Sequence, residues 1–128
     1  MNVVDSSGWL EYFADGPNAG FFAKAVENTR RLVVPTLSLY EVFKRVLKQR
    51  NEGDALQAVA IMQQGKVMEL TSPLALAAAR ISLDLDMPMS DSVMLATARA
   101  WGATLWTQDA DFENLPGVRY TPAGKQRG

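Results

Sequence analysis

Five short strand-like segments, apolar or alternating, separated by helical-period segments constrain this chain more than any other feature. Asn2 to Val4, Leu32 to Pro35, Lys66 to Leu70 and Ala103 to Thr107 each read as a strand, with Val118 to Tyr120 as a last edge strand. Between them lie helices. A hydroxyl of Ser6-Ser7 can cap a helix that runs through Phe13, and Phe21 to Asn28 forms a second. From Ser38 to about Arg50, the residues Leu39, Val42, Phe43, Val46 and Leu47 recur at helical spacing, with Lys44, Arg45 and Lys48 on the opposite face. Asp54 to Gln64 is expected to be a helix closed by Gly65 in a left-handed conformation. Ser72-Pro73 opens a helix to Leu85, and Asp91 to Trp101 is a helix ended by Gly102. Lys125 to Gly128 is expected as a frayed tail. Single strands alternating with one or two helices imply an α/β domain spanning 1–128, with a mostly parallel central sheet of four or five strands covered on both faces.

The chemistry open to such a domain is narrowed by what is missing. Neither cysteine nor histidine occurs, which removes thiolate nucleophiles, zinc–sulfur sites and any Ser-His-Asp triad. Hydrolysis would then have to proceed through a hard cation held by carboxylates and water, as magnesium and manganese are. A net charge of −1 gives no whole-molecule attraction to nucleic acid, although an acid cluster pulls that sum down even where Lys and Arg flank it. No apolar run is long enough to span a bilayer, and the first residues lack a signal-peptide pattern, so a soluble, cytoplasmic protein with no membrane contact is expected.

In open parallel sheets ligands bind beyond the carboxyl ends of the strands. Four acids fall there: Asp5 after the first strand, Glu41 in the first turn after the second, Asp91 at the start of a late helix, and Asp109 just past the fourth strand. Each has an ordinary alternative. Acids suit helix N-termini, Ser38 and Glu41 have capping-box spacing, and Asp5 and Asp109 can be turn residues. Those alternatives do not account for four acids meeting at one edge. Two carboxylates about 5 Å apart repel by roughly 3 kcal/mol at an effective dielectric near 20, so such a cluster calls for a divalent ion. Phosphodiester hydrolysis is the reaction that suits it, because the metal can activate water and stabilise a leaving 3′ oxygen.

The segments Val3-Val4-Asp5-Ser6-Ser7, Pro35 to Val42, Met87 to Ala98 and Leu105 to Phe112 resemble, in order and spacing, the PIN-domain family, and in particular the VapC toxins of toxin–antitoxin pairs. The resemblance covers nearly the whole chain. It implies a PIN-like three-layer sandwich in which Asp5, Glu41 and Asp91 match the core acids and Asp109 the fourth, more variable one. By the same resemblance Thr107 matches a hydroxyl residue beside the metal-bound water. Asp111 is open: it can substitute for or assist Asp109, though its place suggests a cap for the following turn. The resemblance further implies a Mg- or Mn-dependent endoribonuclease toxin acting on structured RNA, a homodimer, and a cognate antitoxin protein that blocks the site. Trp9, Leu10, Tyr12, Phe13, Phe21 and Phe22 are either a groove for an antitoxin helix or core and dimer contacts. Arg45 and Lys48, at i+4 and i+7 from Glu41, either guide phosphates or are simply solvated.

Three rival readings fit less well. A receiver-type phosphorelay domain would show an acidic pair after the first strand and a lysine after a late one, and a haloacid-dehalogenase-type phosphatase needs Asp-x-Asp after the first strand. Here Asp5 precedes Ser6-Ser7, and Asp109-Ala110-Asp111 lies near the end. A non-catalytic interaction module on a PIN scaffold remains the alternative from another class, although such a module would be expected to lose an acid.

Overall fold

Every strand pairing in the computed structural model is parallel. It describes residues 1–124, and the tail expected at 125–128 lies outside them. Strand β1 (Asn2–Val4) pairs with β4 (Thr104–Thr107), which pairs with β5 (Val118–Tyr120); β2 (Val33–Pro35) pairs with β3 (Lys66–Met68). A parallel bridge between Asn2 and Leu32 joins the two ladders, giving the order β3-β2-β1-β4-β5. The expected central sheet is thus present, as ladders of three and two strands held by that bridge. Chain direction across the sheet reverses between β1 and β4, the place where a parallel sheet opens a crevice for ligands.

Among the described residues six helices cover the sheet: α1 (Ser6–Phe13), α2 (Ala19–Val26), α3 (Thr36–Gln49), α4 (Glu52–Met62), α5 (Ser72–Leu85) and α6 (Met89–Ala100). Alternation along the strands divides the core. Val4, Val34 and Trp106 pack with Trp9, Phe22, Val42 and Met62 under helices α1 to α4. Their neighbours Val3, Val33 and Leu105 face Met94, Leu95 and Phe112 on the α6 side. Helix α5 lies outside α6, sealed by Leu74, Ala78, Val93 and Ala96. Helix α6 is therefore buried from Ser92 through Ala98, which is why its apolar residues show no one-sided stripe. Fully burying each such Val, Leu or Phe contributes about 1.5–3 kcal/mol.

Several local expectations are corrected by packing. The first helix is capped by the Asp5 carboxylate and not by a serine hydroxyl. Helix α3 begins at Thr36 behind Pro35, so Ser38 lies inside it with its hydroxyl against the Met94 sulfur at 3.3 Å, and the Ser38–Glu41 capping box does not form. Glu41 accordingly stands beyond the first turn. Gly65 is not left-handed: among the described residues the positive-φ glycines are Gly102 and Gly117. A Cβ at Gly65 would come within 2.9 Å of the Leu32 side chain and 3.0 Å of its carbonyl, so close approach to β2 is what demands glycine there. Helix α5 starts at the expected Ser72-Pro73, capped by Thr71, and ends on Asp86 at φ +52°.

Helices α5 and α6 also leave a surface groove of about 640 Å³, lined by Leu70, Ala79, Leu83, Met87, Met89 and Val93. Leu83 and Met89 are 85% and 69% exposed there. No helix among the described residues is long and apolar enough to cross a membrane.

Candidate metal centre

Asp5 follows β1 in extended backbone conformation and is almost wholly buried. Its Oδ1 accepts the Gly8 N–H and the Ser7 hydroxyl, both at 2.9 Å, while Oδ2 accepts the Thr107 hydroxyl at 2.5 Å. A carboxylate offers about four lone-pair positions. Three are taken, and one on Oδ2 remains for a ligand. Burial pushes the Asp5 carboxyl above its ordinary range; the bonds from Thr107, Gly8 and Ser7 oppose this, and the nearby Asp109 charge adds to it.

Thr107, fully buried at the end of β4, links the acids. Its Oγ1 donates to Asp5 and accepts the Asp109 N–H at 2.9 Å. Asp109 in turn caps a single helical turn at Ala110–Phe112 by accepting the Asp111 N–H at 2.9 Å. The capping role expected of Asp111 therefore falls to Asp109, and the Asp111 carboxylate is left free to face the cluster. Asp91, Asp109 and Asp111 can each present one oxygen such that all three lie within 4.8 Å of one another.

Glu41 reaches the same place from α3. Its Oε1 accepts the Ser6 hydroxyl at 2.7 Å, which ties the first turn of α1 to α3. The reading of Ser6 and Ser7 as helix caps missed this use, because in sequence a hydroxyl after a strand has no visible partner 35 residues away. Asp91, in the first turn of α6, registers the whole group. Its pKa is pushed up to about 6, first by burial and then by the charges of Asp109, Asp5, Asp111 and Glu41. All five acids are thus within electrostatic reach of one another, and Asp5, Glu41, Asp91 and Asp109 line a common open cleft of about 630 Å³.

The donor set fits a hard divalent cation. It consists of carboxylate and hydroxyl oxygen without nitrogen or sulfur, which favours magnesium, manganese or calcium over softer metals. Among the described residues the ion pair is Arg50–Asp54, between the end of α3 and the first turn of α4, so no Lys or Arg neutralises the five carboxylates by direct contact. Lys44, Arg45 and Lys48 line one flank of the same cleft, with Tyr40 at its lip.

A second groove, of about 750 Å³, runs between α1 and α4 and is lined by Leu10, Phe13, Val46, Ala58 and Ile61. Of the aromatic residues singled out in the first two helices, Trp9 and Phe22 are wholly buried in the core, and Phe21 packs on Trp106 at 5.1 Å. Only Leu10 and Phe13 of that set line the groove.

Comparison with known proteins agrees with this architecture. The family model described as PIN domain matches residues 3–118. No curated protein matches the chain in sequence. Among solved structures, a toxin–antitoxin complex from Klebsiella pneumoniae superimposes with a TM-score of 0.78 at 18% identity, covering 93% of this chain and 96% of that one. VapC20 of Mycobacterium tuberculosis, described as a sarcin–ricin loop cleaving toxin, gives 0.74 at 19% identity over 88% and 92% of the two chains. A DNA-bound VapBC complex from Salmonella typhimurium gives 0.73 at 17% identity over 95% and 97%. At these identities the likeness establishes the fold.

Proposed function

The chain belongs to the PIN-domain family, and from that premise we propose that it is a metal-dependent endoribonuclease, the toxin of a toxin–antitoxin pair. The observation that carries the reading is the convergence of Asp5, Glu41, Asp91 and Asp109 on one open cleft, where the Asp91 carboxyl is pushed up to about 6, first by burial and then by the charges of the other acids. Capping accounts for Asp5 and Asp109 singly, but it does not account for four carboxylates lining one cleft with Asp111 beside them, since each repels the rest.

In this reading Asp5, Glu41, Asp91 and Asp109 hold magnesium or manganese. When bound, the ion supplies Lewis-acid chemistry, acidifying water and offsetting charge that builds on the phosphate. Water adds to phosphorus and the bond to the 3′ oxygen breaks, leaving a 5′-phosphate and a 3′-hydroxyl. The chain's own residues set the geometry. Thr107 and Gly8 fix the Asp5 carboxylate so that one Oδ2 lone pair faces the cleft, Ser6 holds Glu41, and Lys44, Arg45 and Lys48 draw the phosphate backbone in. Asp111 assists Asp109, whose Oδ1 is already engaged as a cap.

Partners follow from surfaces. The apolar groove of α5 and α6, with Leu83 and Met89 exposed, supports a homodimer. The α1–α4 groove, which adjoins the cleft through Ser7, Leu10, Arg45 and Gln49, supports docking of an antitoxin segment that covers the acids. A cytoplasmic location goes with an RNA substrate. The presence of every acid weighs against a purely non-catalytic interaction module. The deciding experiment is RNA cleavage by purified protein with magnesium, manganese or EDTA. Cleavage that needs metal and disappears in Asp5→Asn and Asp91→Asn, with the fold intact by circular dichroism, is the expected result. Undiminished cleavage in both variants would remove the acids from catalysis.

A further inference from the structure

Ten of the eleven aromatic side chains of this protein are buried or half-buried; Tyr40, 59% exposed, is the exception. Its position is specific. It precedes Glu41 on α3 and lines the lip of the acidic cleft, and the Lys44 ammonium, one turn further on, lies 5.6 Å from its ring centroid. That distance is within the range of a cation–π contact, and the ring still stands open to solvent. An exposed aromatic ring beside Lys44, Arg45 and Lys48 on the wall of one cleft is a combination that suits single-stranded nucleic acid. A base stacks on the ring while the adjoining phosphate meets a cation.

We propose that Tyr40 stacks an unpaired nucleobase next to the scissile phosphate and that Lys44 holds the phosphate of that nucleotide. The inference rests on the nuclease reading and narrows its substrate. A base can lie flat on Tyr40 only when it has left a helix, so the RNA taken must present at least one unstacked nucleotide beside the cut, as in a loop, bulge or single strand. Stacking is tolerant of base identity, so Tyr40 selects for an unpaired nucleotide and sequence preference comes from elsewhere. The ring acts in binding and touches no reacting atom, which makes it a positioning residue.

The test uses the full chain, magnesium and short single-stranded oligoribonucleotides of mixed sequence, with the same strands annealed into duplexes as controls. Tyr40→Leu is expected to raise KM on the order of ten-fold with kcat little changed, while Tyr40→Phe and Tyr40→Trp stay near wild type. Replacing the flanking nucleotide by an abasic one should weaken wild-type binding and have no further effect on Tyr40→Leu, since both remove the same stack. Wild-type KM for Tyr40→Leu, equal losses in Tyr40→Leu and Tyr40→Phe, or additive effects of the abasic site would each overturn the stacking role. These outcomes leave the nuclease reading standing; it fails separately, and takes this inference with it, if the wild-type protein cuts no RNA under any metal.

Discussion

The Thr107 hydroxyl donates to Asp5 Oδ2 at 2.5 Å and accepts the Asp109 N–H at 2.9 Å, so one buried side chain sets the spacing of two acids that are 104 residues apart. Thr107→Val keeps the volume and removes both bonds. An unsatisfied group at such a buried place costs about 1–3 kcal/mol. The variant should melt several degrees lower and lose most of its RNA cleavage, while Thr107→Ser stays near wild type; thermal melts and initial rates with saturating magnesium read both effects.

Stability of the metal-free protein should fall as pH rises from about 4 to 7. Asp91, raised to about 6 from 3.8, binds more protons folded than unfolded between those values, so its penalty grows across that window and is complete above it. Asp5, also raised, acts in the same direction. The Asp91 shift alone corresponds to ~3 kcal/mol, and solvent screening of this half-exposed carboxyl reduces it to about 1 kcal/mol. Asp91→Asn should raise the melting temperature at neutral pH without metal and flatten the pH dependence. A wild-type melting temperature that climbs from pH about 4 to 7 in EDTA would contradict this.

Magnesium or manganese at millimolar concentration should reverse that loss at neutral pH by binding the folded cluster alone. Calcium is expected to stabilise as well without supporting cleavage. Melts in EDTA and in each metal, set beside the same series for Asp91→Asn, check the assignment; no shift in the wild type would argue against a metal centre.

Much of this site was legible in the sequence because its parts stand at strand ends. The strands after which Asp5 and Asp109 fall are fixed by apolar runs that have no other use, and the Ser72-Pro73 start and the Gly102 end of their helices follow from backbone chemistry alone. What was not legible depends on contacts distant in the chain. Ser38 looked like a cap because its spacing to Glu41 fits one, yet burial against Met94 and the stop at Pro35 moved the helix start to Thr36. Gly65 looked like a helix terminator, whereas Leu32 is what excludes a side chain there. The cap expected of Asp111 is made by Asp109, because which of two acids caps a turn depends on backbone dihedrals at the strand end. The one-turn link between Tyr40 and Lys44 was visible as spacing but carried no meaning until the cleft beside it was known.

Gly8→Ala is expected to damage both stability and activity. A Cβ there would stand 2.5 Å from the Phe22 ring and 2.7 Å from Val4, so α1 would have to lift away from the sheet. The Gly8 N–H is also a donor to Asp5. Overpacking of this kind costs about 1–3 kcal/mol, and the displaced N–H should reduce cleavage beyond what lost folding explains. Activity per folded molecule, measured well below the melting temperature, tests that second effect.

Leu83→Glu should yield a monomer by light scattering if the exposed face of α5 joins two copies. The wild type is expected to be a dimer, and the variant should keep its secondary structure because the side chain is 85% exposed. A dimeric variant would place the contact elsewhere.

Met89 and Asp91 stand two residues apart on α6, the first on the outer apolar groove and the second in the acidic cleft. Because α6 is clamped between the sheet and α5, any tilt that suits one end of this pair is felt at the other. Whatever free energy self-association gains from an ion already in place, ion affinity must gain equally from self-association, since such coupling is reciprocal. Dilution would then weaken ion binding, and chelation would weaken self-association, by the same factor.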